Sequence, residues 1–275
     1  MKVADVQAVL EARWPQADAE SWDRVGLLQG KPEDAVTHVV CALDPDFGTL
    51  LRARDLGADL LVTHHPTYLP PEPEAPAPEH GADLEYAARK MGIALIACHT
   101  NLDVCEEARL SLGTGLPLES RGVMADFCDE EDTGFEHPRF AQLWWPTIAT
   151  SVPYLATLLT DIYKTPVLRT LAPGGYEETL ESVATATGSG GDAVEAAVSC
   201  YADLLITGEL KYHQRLEASD RGLSVIELGH DISEWPLVTL LYDALKPACE
   251  SASTQITLME RFFDSKIIVP RKGML

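Results

Sequence analysis

The sequence predicts an α/β protein made of two similar α/β domains that arose by internal duplication, and three observations predict it. Apolar runs of strand length alternate with amphipathic helical segments along most of the chain. The run 58-ADLLVT-63 recurs as 202-ADLLIT-207. Downstream of each copy a glycine-led segment follows in the same order, 92-GIALIACHTNLD-103 and 222-GLSVIELGHDISE-234. Each of these strands ends in a histidine with an acid four residues later, His99 with Asp103 and His230 with Glu234. Two echoes in one order argue for a repeated unit rather than coincidence.

The elements follow in turn. Val3, Val6, Val9 and Leu10 give the N-terminus an amphipathic helical pattern, and the turn-rich SWDRVGLLQG comes next. Residues 36–43 read as a buried strand and 47–56 as a helix entering the strand ADLLVT. The stretch 66-PTYLPPEPEAPAPEH-80 holds too many prolines for regular structure and is expected to form an exposed loop. A helix over about 82–91 leads to the strand 93–97. Between 110 and 150 the periodicity weakens, and the acidic cluster 126-DFCDEEDTGFEHPR-139 reads as a solvated loop or edge that marks the join. The expected domains are therefore 1–125 and 126–275. Alternation returns with a helix over 152–162, strands at 166–171 and 181–187, and a helix over 192–201. Such alternation implies a largely parallel sheet.

Bulk composition narrows the function classes. With 275 residues, 46% of them hydrophobic, the chain can bury a substantial core. A net charge of -22 repels the phosphate backbone, which argues against broad nucleic-acid or anionic-membrane binding. No apolar run approaches membrane-spanning length and the N-terminus lacks a signal-peptide pattern, so a soluble, cytoplasmic protein is expected. Cys41, Cys98, Cys105, Cys128, Cys200 and Cys249 show no CxxC spacing and read as buried free thiols.

In open α/β sheets, ligands bind beyond the carboxyl ends of the strands. Here four strands end in His64-His65, His99-to-Asp103, Thr207-Gly-Glu209 and His230-to-Glu234. Imidazoles mixed with carboxylates are the donor set of a divalent transition metal and leave room for two ions, one carboxylate bridging. His38, His80 and His137 lack such company and read as structural or solvent-exposed, whereas His213 in GELKYH sits just past a strand end as a neighbouring or substrate-contacting residue. The run 188-GSGGDAVEAA-197 reads equally as an anion cradle or as a tight turn with Asp192 capping a helix. The sequence holds no Walker lysine, full dinucleotide fingerprint or GxSxG element.

SWDRVGLLQG, ADLLVTHHP, HTNLD, the GSGG turn, ADLLITGELKYH and GHDISE, in this order, resemble the NIF-three-like family, which includes GTP cyclohydrolase type 2 homologues. The resemblance covers about residues 20 to 245. It implies a dinuclear metal centre between the two domains and a ring-shaped homohexamer. Carried over by motif, the metal ligands are His64, His65, Asp103, His230 and Glu234. One ion takes His65 and Asp103, the other His64 and His230, and Glu234 bridges, with His99 close by. The chain departs from the family pattern at Arg24, where asparagine is usual, at Asp231, where an aromatic is common, and in 137-HPRFAQLWWP-146, where a glycine-rich pattern is common. None of these removes a ligand.

The expected activity is that of a metal-dependent hydrolase acting on a nucleotide or related small molecule, with Glu209, His99 or His213 shuttling protons. Phosphoester hydrolysis fits the same site, and a non-catalytic metal-binding assembly is the alternative. Imidazole and carboxylate ligands suit Zn, Mn, Fe, Co or Ni.

Overall fold

The computed structural model describes residues 1–69, 78–127, 139–176 and 178–259. Most of the proline-rich stretch, most of the acidic cluster, Cys128 and His137 lie outside the described residues. The protein is a mixed α/β structure with two sheets. The chain divides into one compact unit of Met1–Val104 with Trp235–Leu275, and a second of Cys105–Glu234.

Among the described residues the strands are, in chain order, β1 Gly26–Gln29, β2 His38–Ala42, β3 Leu60–Thr63, β4 Ala94–Ala97, β5 Leu118–Val123, β6 Gln142–Pro146, β7 Arg169–Leu171, β8 Val183–Ser189, β9 Leu204–Glu209, β10 Ser224–Glu227 and β11 Gln255–Leu258. The sheet of the first unit runs β1-β4-β3-β2-β11. Its strands β4, β3, β2 and β11 are parallel, and β1 is antiparallel to β4. The ADLLVT run is continuous rather than alternating because both faces of β3 are covered, and all four of its residues are buried. The helix Phe47–Asp55 enters this strand, its first turn held by the Asp46 carboxylate accepting from the Thr49 amide at 3.0 Å. The helix Glu79–Met91 buries Gly81, Leu84, Ala87 and Ala88 along one stripe and stops at Gly92, whose φ of 75° suits glycine.

The sheet of the second unit runs β5-β6-β8-β9-β10-β7. Only β8, β9 and β10 are parallel; β5, β6 and β7 each pair antiparallel. The largely parallel expectation therefore holds for the first sheet and not for the second. Inward residues of β9 divide between two apolar clusters, Leu204 and Ile206 on one face and Leu205 on the other, so the ADLLIT run is also buried on both sides.

Within each sheet the same four-strand order appears, β1-β4-β3-β2 in the first and β7-β10-β9-β8 in the second, with the outer strand antiparallel and the inner three parallel. The recurring aspartate of ADLL has the same local task in both. The Asp59 carboxylate accepts from the Thr37 amide and hydroxyl at 2.7 and 2.6 Å and from the His38 amide at 3.1 Å, which fixes the start of β2. Asp203 accepts from the Glu181 and Ser182 amides at 2.7 and 2.9 Å, which fixes the start of β8. Partial burial opposes the charge on Asp59, yet the Thr37 and His38 hydrogen bonds prevail and hold its carboxyl below the usual range.

Candidate metal centre

Parallel neighbours release their C-terminal ends on one edge of a sheet, and in the first unit β3 and β4 do so with His64-His65 and His99. Consecutive strand residues ordinarily face opposite ways. Here the chain turns out of its pleat directly after β3: the Thr63 hydroxyl donates to the His65 carbonyl at 2.7 Å, and the His65 amide reaches Leu43 at 3.0 Å. As a result the rings of His64, His65 and His99 form a triangle with centroids 5.0, 5.2 and 5.5 Å apart. One ring nitrogen from each lies within 4.8 Å of the others, a spacing that could hold a metal ion.

Every ring is held by its other side. His64 is buried and its Nδ1 donates to the Cys98 carbonyl at 2.8 Å. The Nδ1 of His65 donates to Asp44 at 2.7 Å, and that of His99 to Asp23 at 2.9 Å. A neutral imidazole whose Nδ1–H is committed to an oxygen carries its lone pair on Nε2, the arrangement that orients histidines toward metals. The Asp23 side chain is fully buried and also accepts from the Thr100 amide and hydroxyl at 3.0 and 2.5 Å. Burial alone would raise its pKa, but the hydrogen bond and charge of His99 and the hydrogen bonds from Thr100 prevail and lower it to about 2. Asp103, closing the short helix Thr100–Asp103, brings its Oδ1 to 3.5 Å from His64 Nε2. Burial pushes the Cys98 thiol up to about 12.

The second unit builds a smaller group from β9 and β10, also parallel neighbours. His230 opens the helix His230–Ser251, so Glu234 stands one turn along. The His230 Nδ1 donates to Glu209 at 3.1 Å and its Nε2 lies 3.2 Å from Glu234 Oε2. Gly188, at the end of β8 with a φ of +62°, leaves the space that Glu234 occupies, because a Cβ there would collide with that carboxylate. The Gly188 amide donates to Ser233 Oγ at 2.8 Å and the Gly190 amide to the Glu209 carbonyl at 3.1 Å. These two amides serve the fold rather than an anion, and Asp192 makes no side-chain cap.

Strand register refines the internal match. Thr63 pairs with Ala97 and Thr207 with Glu227, so His99 corresponds to Gly229 and His230 to Thr100. The two histidine–acid pairs therefore sit one residue out of step. Position 227 itself holds a buried carboxylate, which Arg215 grips at 2.6 and 2.8 Å.

Three further histidines are described. His213 is exposed on the helix Tyr212–Asp220 with its ring 5.3 Å from Tyr212. His38 is buried and bonded to Leu56 and Thr257, a structural role, and His80 packs edge-on against Phe47. Arg24 stacks over Tyr68 at 3.9 Å and bonds Thr67 and Glu85, tying down the chain just beyond the histidine pair. Sequence reading missed Asp23 and Asp44, whose only signal was an acid of unassigned purpose in each of SWDR and LDPD.

A family model described as Duf34/NIF3 (NGG1p interacting factor 3) matches residues 1–262. The chain belongs to the Duf34/NIF3 family. Among its relatives, a protein of Streptomyces coelicolor named GTP cyclohydrolase 1 type 2 homolog is 32% identical over 239 residues, which is 86% of this chain and 82% of that one. A Clostridium perfringens protein of the same name is 27% identical over 253 residues, 91% of this chain and 94% of that one. The fold is shared with Staphylococcus aureus hypothetical protein SA1388 at a TM-score of 0.77, 22% identity and coverage of 96% and 98% of the two chains. It is also shared with a Bacillus cereus protein related to NIF3, at 0.77, 17% identity and coverage of 98% and 99%. No described helix of this Duf34/NIF3 member is long and apolar enough to cross a membrane.

Proposed function

We propose that this Duf34/NIF3 protein is a metal-dependent hydrolase acting on a nucleotide or related small molecule, with two divalent ions held by His64, His65, Asp103, His230 and Glu234. The two sheets are read as diverged copies of one ancestral unit. The working form is a ring-shaped homohexamer.

The observation that carries this reading is a repeated pairing of an imidazole nitrogen with a carboxylate oxygen just beyond a strand end. His64 Nε2 lies 3.5 Å from Asp103 Oδ1 and His230 Nε2 lies 3.2 Å from Glu234 Oε2, while the Nδ1 of each ring is bonded to another oxygen. A neutral imidazole in that tautomer presents its Nε2 lone pair beside the carboxylate, and a cation would be attracted by both donors. Nitrogen and carboxylate donors without a thiolate suit Zn, Mn, Fe, Co or Ni.

When bound, such ions supply Lewis acidity toward a water and toward developing oxyanion charge. The chain's own residues then have defined tasks. Asp23 and Asp44 keep the His99 and His65 rings turned, and Glu209, half exposed and bonded to His230 Nδ1, is the proposed proton carrier. The name of the relatives supports a guanine nucleotide as first substrate to try. The test is metal analysis of protein purified without chelators, followed by turnover of GTP and of generic phosphoesters. His65→Ala and Glu234→Ala are expected to stay folded, lose metal and lose turnover. Full activity in metal-free, folded variants sinks the hydrolase reading, and a metal-loaded wild type that turns over nothing favours a non-catalytic assembly.

A further inference from the structure

We infer that Trp22 is the surface on which the ring of a planar heteroaromatic ligand stacks beside the histidine triangle; the ligand class rests on the nucleotide reading above. Trp22 is 40% exposed, so part of its indole is open to a ligand. Its indole meets the His99 ring edge-on, with centroids 6.3 Å apart at 73°.

The backbone that carries this indole is tied down. The Asp23 amide closes a turn onto the Glu20 carbonyl at 3.0 Å, and the Glu20 amide reaches the Thr100 hydroxyl at 2.9 Å. Asp23 adds its bonds to His99 and to Thr100. The segment that carries Trp22 is thus stapled to the histidine that Trp22 flanks. Another exposed tryptophan, Trp145, is already covered, with the Arg121 guanidinium 3.4 Å above its ring. Among the described residues no cation lies over Trp22 in this way.

Chemistry selects the ligand class. In a chain with net charge -22, broad cationic recognition of a nucleotide is disfavoured. A cation in the donor set answers the phosphates, and an aromatic face answers the base, since base stacking needs no charge and tolerates any planar ring.

The test uses the metal-loaded full chain, with calorimetric binding of GTP and of inorganic triphosphate, which has no base. Wild type is expected to bind GTP at least about tenfold more tightly than triphosphate. Trp22→Leu should abolish that preference and Trp22→Phe should keep most of it, with triphosphate affinity, metal content and melting temperature the same in all three. Equal affinity for the two probes in wild type, or no binding of GTP at all, overturns the assignment. So does a Trp22→Leu protein that keeps its GTP preference; if that protein also changes its oligomeric state, Trp22 belongs to a subunit contact. Failure of the hydrolase reading is separate, because turnover can be absent while the stacking preference persists.

Discussion

The rings of His64 and His65 lie 5.0 Å apart at 43°, although they are neighbours in sequence at the end of a strand. The Thr63 hydroxyl makes this possible by holding the His65 carbonyl at 2.7 Å and turning the chain. Thr63→Val keeps the shape and the strand preference but removes that bond. It is expected to cost about 1 kcal/mol of stability and to lower metal affinity measurably. Chemical denaturation and chelator competition check both parts, and unchanged metal affinity would show that the turn does not depend on the hydroxyl.

Asp44 and Asp23 orient two of the imidazoles, yet they differ in burial: half of the Asp44 side chain is exposed and none of Asp23. Asp44→Ala should therefore reduce metal affinity by roughly 10- to 100-fold with little change in apo-protein melting. Asp23→Ala should reduce metal affinity and also destabilise the apo protein by about 2 kcal/mol, because buried donors lose their acceptor. Melting curves recorded with and without metal separate the two effects.

Gly188 leaves room for the Glu234 carboxylate and has a φ of +62°, whereas a methyl added at Gly57, whose φ is +76°, would meet no neighbouring atom. Alanine at either position pays for the left-handed backbone, about 1 kcal/mol. Only Gly188→Ala displaces Glu234, so only that variant should lose metal. Equal metal content in the two alanine proteins would remove Gly188 from any role at the centre.

Glu227 is buried; that burial would raise its pKa, but the Arg215 hydrogen bonds and the Leu210 amide prevail and hold it below the usual range. A depressed carboxylate contributes stability that is complete above the ordinary glutamate pKa and is lost as pH falls through the lower folded value. Glu227→Gln is expected to cost about 2 kcal/mol at neutral pH. The gap to wild type should narrow as pH drops below about 4.3. Denaturation midpoints across pH 7 to 3 provide the check, and a constant gap would mean that Glu227 titrates alike in the folded and unfolded chain.

Much of the fold was legible because its signals are local. The ADLL runs and the helix expected over 152–162, observed as Val152–Tyr163, are short-range patterns of burial and backbone preference. The mixed character of the second sheet was not legible, since the hairpin of β5 and β6 lies in a segment of weak periodicity.

The sequence by itself determined the donor types, histidine pairs with acids at strand ends, and the repetition of one strand–helix–strand unit. Those follow from residue identity and from order along the chain. Tertiary structure alone decided that Asp23, seventy-six positions away, holds His99, that Gly188 makes space for Glu234, and that β11 completes the first sheet beside β2. Each of these depends on which distant segments become neighbours, and that choice is made by long-range packing, on which local periodicity carries no information.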